Sequence, residues 1–125
     1  MLAFLAVLCY TNAMDLIKKR VVSLPFAQQV ALYVILRMPG LESKGFSFLS
    51  SEFASAFKPY VRKHVISNLD EYGKFIGGIL SGLMRNKILS KLSGDRDKLW
   101  TLNNEVKENV EKYRNTLFEI KVYWK

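Results

Sequence analysis

The sequence predicts a mainly α-helical domain that carries one small β-hairpin and ends in a long helix. Three observations carry this expectation. Plotted at 100° per residue, Tyr72, Ile76, Ile79, Leu80 and Leu83 fall on one side, and Glu71, Lys74, Gly78, Ser81 and Arg85 on the other, the mark of a two-faced helix. After Asn86-Lys87 the period changes to two strand-like runs, Ile88-Leu89-Ser90-Lys91-Leu92 and Lys98-Leu99-Trp100-Thr101-Leu102. The Ser93-Gly94-Asp95-Arg96-Asp97 stretch between them is turn chemistry. Finally, Val106, Val110, Tyr113, Leu117, Ile120 and Trp124 are spaced 4, 3, 4, 3, 4 with Glu, Lys and Arg between them, a heptad seam.

A chain of 125 residues, 50% hydrophobic and 24% charged, is long enough for one domain with a real core and too apolar to stay disordered. The net charge of +8 favours a polyanionic partner, nucleic acid first and an anionic membrane surface second. Cys9 has no second cysteine to pair with, and together with the lone His64 it cannot build a Cys/His zinc site. No metal and no cofactor are expected, and the compartment expected is a reducing one, the cytoplasm.

Residues 1–14, MLAFLAVLCYTNAM, are uncharged and mostly apolar. A bilayer span needs about 20 such residues, and Asp15 followed by Lys18-Lys19-Arg20 cuts the run short. No positive region precedes it as in a secretory signal. Three readings stand: an over-extended start with initiation at Met14, a helix packed on the domain or a partner, and a weak membrane anchor over 1–17. Residues 1–22 are therefore set apart from a domain over 23–103 and a terminal helix over 104–125.

Ser23-Leu24-Pro25 reads as a helix start, a capping hydroxyl with proline in the first turn. That helix runs to about Met38, where Pro39-Gly40 ends it, and Phe26, Val30, Tyr33, Val34 and Arg37 form its stripe. A loop over 40–45 leads to a second periodic segment, Phe46 to Phe57, capped by Ser50 or Ser51 and apolar at Phe53, Ala54 and Phe57. Pro59 interrupts it. In the next stretch Lys58, Arg62 and Lys63 make a basic cluster, a solvated face unless the following helix enters a groove. His64 has no carboxylate or cysteine beside it in sequence to activate it and reads as structural.

The helix that follows, capped by Asn68 or Asp70, has Gly73, Gly77, Gly78 and Gly82 in or beside it, at about 1 kcal/mol each relative to Ala. That cost fits close approach to a DNA major groove or to a neighbouring helix; Gly78, in the middle of the polar line, is assigned to DNA. The hairpin is too short to stand alone, so Trp100 is expected to anchor it, the alternative being a stacking platform for bases. Asn103 or Asn104 caps the last helix. Its narrow seam is read as a dimer interface, with packing on its own domain as the alternative.

The order helix, helix, turn, amphipathic helix, β-hairpin, long helix resembles the winged helix-turn-helix transcription regulators of bacteria and archaea. The local match is GILSGLMRNKILSKLSGDRDKLWTLN, and the C-terminal helix is similar to that of PadR-like and related small archaeal regulators. The resemblance covers about Ser23 to Lys121 and departs from the family in a longer segment over 58–68 and a glycine-rich reading helix. It implies a homodimeric, sequence-specific double-stranded DNA-binding protein. Lys74, Gly78, Ser81 and Arg85 would face the groove. Arg62, Lys63, Lys87, Lys91, Arg96 and Lys98 would reach phosphates, and the 106–124 seam would set half-site spacing. Two other readings stay open: a winged-helix module for protein–protein assembly, and a small membrane-associated protein. An enzyme is not expected, since no paired carboxylates, Ser/His/Asp or Cys/His arrangement or phosphate-binding glycine loop is suggested.

Overall fold

The run FAQQVALYVIL has almost no polar face, and a helix apolar all round must be covered on several sides. It forms α2 (Phe26–Leu36), whose residues 30–36 are all buried. The computed structural model of the chain describes residues 16–61, 69–93 and 98–121. In order these form α1 over residues 16–22, α2, β1 (Ser47–Leu49), α3 (Ser50–Phe57) and a 3₁₀ turn (Lys58–Tyr60). Then come α4 (Leu69–Arg85), β2 (Leu89–Ser93), β3 (Leu99–Leu102), α5 (Asn104–Glu108) and α6 (Val110–Lys121). Helices α3, α4 and α6 all pack on α2. Mainly α with a small sheet is what the sequence predicts.

The first helix boundary differs from expectation. Pro25, not Ser23, occupies the cap of α2, and its carbonyl accepts the Gln28 and Gln29 amides at 2.9 and 3.0 Å. Ser23 instead closes the helix before it, its hydroxyl donating to the Arg20 carbonyl at 2.7 Å. Ile17 and Val21 of α1 are buried in the same core as the helices that follow. Residues 1–15 lie outside the described residues.

Among the described residues the sheet has three strands, not the two of the expected hairpin. Its order is β1-β3-β2, antiparallel throughout, with Phe48 opposite Trp100 and a register shift between Lys91 and Ser93. Strand β1 occupies residues assigned to the start of a helix; at three residues it is too short to show alternation. It ends in α3, whose cap is Leu49: the Leu49 amide donates to Glu52 Oε1 at 2.9 Å. Ser50, expected as a cap, is the first helical residue and turns its hydroxyl to Trp100, whose Nε1–H donates to it at 2.8 Å. With the indole 1% exposed, Trp100 is the hairpin's anchor. Phe48, Phe53 and Phe57 continue that aromatic layer, the last two stacked at 5.1 Å.

The terminal helix is interrupted at Asn109, and its apolar seam faces the chain's own core. Val106, Tyr113 and Leu117 are wholly buried, Val110 nearly so, and Ile120 packs half-buried on the same cluster. Val106, Val110, Tyr113 and Leu117, read from the sequence as part of a dimer seam, are taken up by the chain's own core and have no surface left to offer a second copy. A heptad stripe states that a helix lies along another helix, and here that helix is α2. Arg114 Nε–H donates to the Leu36 carbonyl at 3.0 Å and Lys121 Nζ to the Tyr33 hydroxyl at 3.0 Å, which sets the register. Trp124 lies outside the described residues.

Candidate nucleic-acid interface

Helix α4 is split as its periodicity predicts. Ile76, Ile79, Leu80 and Leu83 are buried, and Tyr72 is half-buried with its hydroxyl donating to the Ala54 carbonyl. Burial raises the Tyr72 pKa, so this donor stays protonated. On the other side Glu71, Lys74, Gly78 and Arg85 are exposed and Ser81 is half-buried.

The glycines separate into two kinds. A Cβ on Gly73, Gly77 or Gly78 would meet nothing within 4 Å, so the chain itself does not require glycine there. A Cβ on Gly82 would run into the Gln28 side chain on α2, whose amide oxygen accepts a bond from Asn86 Nδ2 at 2.7 Å. Gly82 therefore serves helix–helix packing, and the low bulk of the other three faces outward.

The junction from α4 to β2 is built on Lys87, which sits in the left-handed region at φ 62. The Lys87 amide donates to the Met84 carbonyl at 3.0 Å and the Ile88 amide to the Leu83 carbonyl at 2.9 Å, the double bond pattern that closes a helix. The Lys87 carbonyl accepts Arg20 Nη2 at 2.7 Å and Asn103 Nδ2 at 2.6 Å. Arg20 Nη1 is paired with Glu105 at 2.8 Å, and Glu105 accepts the hydroxyl of the wholly buried Tyr113 at 2.7 Å. Burial first, then that bond, pushes the Tyr113 pKa well above the ordinary tyrosine value.

Lys74, Arg85, Lys87 and Lys91 are exposed and take no part in the ion pairs among the described residues, which join Arg20 to Glu105, Lys44 to Glu52, and Arg114 to Glu42 and Glu111. Lys98 is half-buried beside the hairpin. Arg62, Lys63, His64 and Arg96 lie outside the described residues. The unit α4–β2–β3 thus carries one continuous stretch of chain with exposed cations and little side-chain bulk on the helix. Such a surface can approach a polyanion closely and neutralise it.

Sequence reasoning missed Arg20, Asn103 as a side-chain donor, and Glu105. Arg20 lies 66 and 67 positions from the carbonyls it holds, so no local pattern could join them. Among the described residues no helix is long and apolar enough to cross a membrane. No protein-family model, curated protein or solved structure matches the chain.

Proposed function

We propose that this chain is a winged-helix protein that binds double-stranded DNA, with α4 in the major groove and the β2–β3 hairpin as the wing lying on the backbone. The observation that carries the reading is the outward line Glu71, Lys74, Gly78, Ser81, Arg85 on a helix whose other side is buried. The order helix, strand, helix, helix, strand, strand, with sheet order β1-β3-β2, supports it. Lys74 and Arg85 read base edges, Gly78 and Ser81 let the helix settle into the groove, and Lys87, Lys91 and Lys98 neutralise phosphates. Arg62, Lys63 and Arg96 extend that set. The cellular role proposed is that of a cytoplasmic transcription regulator. The reading makes no use of the 106–120 stripe for self-association; on the outer side of α6, Phe118 is 56% exposed.

The test is fluorescence anisotropy on random-sequence and selected duplexes. Binding at about 50 mM salt that weakens steeply as salt rises is expected, together with loss of affinity in the double variant Lys74→Ala, Arg85→Ala. Absence of binding at that salt, or indifference to the double variant, rejects the reading. A second reading is a winged-helix module that docks on a protein. It is favoured by Leu92, 55% exposed, and Met84, 39% exposed, on the same unit. It predicts co-purification with one partner and only weak, salt-labile association with duplex DNA.

A further inference from the structure

We propose that Arg20 and Asn103 are positioning residues for the α4–β2 junction: they hold Lys87 in its left-handed turn and so present its ammonium to a DNA phosphate. The second half rests on the DNA reading above. Glycine is the ordinary residue just past a helix end of this kind, because a Cβ in the left-handed region is strained. A lysine there at φ 62 keeps a strained backbone in place for the sake of its side chain, and such strain persists only where the surroundings over-determine it.

The surroundings here do so from two directions. Arg20, from α1, donates to the Lys87 carbonyl at 2.7 Å and the Asn86 carbonyl at 3.2 Å. Asn103, from the β3–α5 link, donates from Nδ2 to the Lys87 carbonyl at 2.6 Å and from its amide to the Ile88 carbonyl at 2.9 Å. The Asn103 side-chain oxygen accepts the Ser90 hydroxyl. Glu105 and the buried Tyr113 fix Arg20 in turn. Because Arg20 is paired with Glu105, it acts on the turn and not as a phosphate contact of its own.

Amide hydrogen exchange reads the clamp without DNA. Arg20→Ala removes charged donors from two carbonyls, so exchange at the Lys87 and Ile88 amides accelerates roughly tenfold or more, while amides of α2 keep their protection. Adding Lys87→Gly, which relieves the strain, restores protection at Ile88. Asn103→Ala gives the same local signature should Arg20→Ala fail to fold. Uniform loss across the domain, or no change at Ile88, overturns the clamp. Duplex titrations over a salt series read the positioning. Lys87→Ala lowers the salt slope by about 0.9, Arg20→Ala matches that loss, and the double variant loses no more than either alone. Additive losses make Arg20 a contact in its own right and overturn the positioning role. If the parent protein binds no duplex, the DNA reading fails and the presentation of Lys87 to phosphate fails with it; the clamp then stands or falls on exchange.

Discussion

Gly78 and Gly82 are one helical turn apart and answer to different neighbours. Beside Gly82 stands the Gln28 amide group; beside Gly78, and beside Gly77, a Cβ would find open space. Replacing Gly77 or Gly78 by Ala removes a helix-interior glycine and should stabilise the domain by up to about 1 kcal/mol, read as a rise in the thermal midpoint. Gly82→Ala should gain less, because Gln28 must move and its bond to Asn86 is put at risk. Gly78→Ala should also weaken duplex binding, and a variant that is more stable yet binds as well as its parent would remove the outward line of α4 as the reading face. Sequence alone could price all the glycines alike but could not say which had a neighbour. Tyr113 carries a pH prediction. Its folded pKa is raised above the ordinary tyrosine value of about 10, first by burial and then by Glu105. The stabilisation from keeping it protonated is fully present below pH 10 and is lost as pH rises beyond that value, because the unfolded phenol ionises first. Stability measured by denaturant titration should fall above about pH 10, and the fall should be shallower in Tyr113→Phe.

At the scale of elements, legibility followed length and locality. The 17 residues of α4 span enough turns for their period to declare both faces, and the structure turns Tyr72, Ile76, Ile79, Leu80 and Leu83 inward or half-inward. Strand β1, with three residues, has no period to read, and its pairing with β3 joins Ser47 to Thr101 across the whole middle of the chain. The terminal stripe shows the opposite failure: its spacing was plain, but spacing does not name the surface it meets. That surface is α2, left open where α3 and α4 do not reach. Truncating Leu117 to Ala should therefore cost about 2–5 kcal/mol of unfolding free energy, with a thermal midpoint independent of protein concentration. A seam between copies would make the midpoint rise with concentration. The same logic explains why Trp100 could be read as an anchor. A short hairpin needs a buried side chain, and only the Ser50 hydroxyl across the sheet was beyond inference.

For the whole molecule, the charge of +8 admits two kinds of polyanion binding that differ in where the charge acts. If the excess cations attract DNA as a diffuse cloud, any lysine or arginine removed lowers the salt slope by a similar small amount. If binding is confined to the proposed interface, the slope belongs to its phosphate contacts, Arg62, Lys63, Lys87, Lys91, Arg96 and Lys98, and at about 0.9 per phosphate it comes to roughly 5. Arg37 and Lys121 provide the contrast. They sit at the C-terminal end of α2 and on α6, held over the Tyr33 ring at 4.5 and 4.9 Å, and belong to neither α4 nor the hairpin. Measured by anisotropy across a salt series, Lys91→Ala and Lys98→Ala should each lower the slope by about 0.9, while Arg37→Ala and Lys121→Ala leave it unchanged. Equal losses from all four would mean that net charge, and not the α4–hairpin surface, brings the polyanion to this chain.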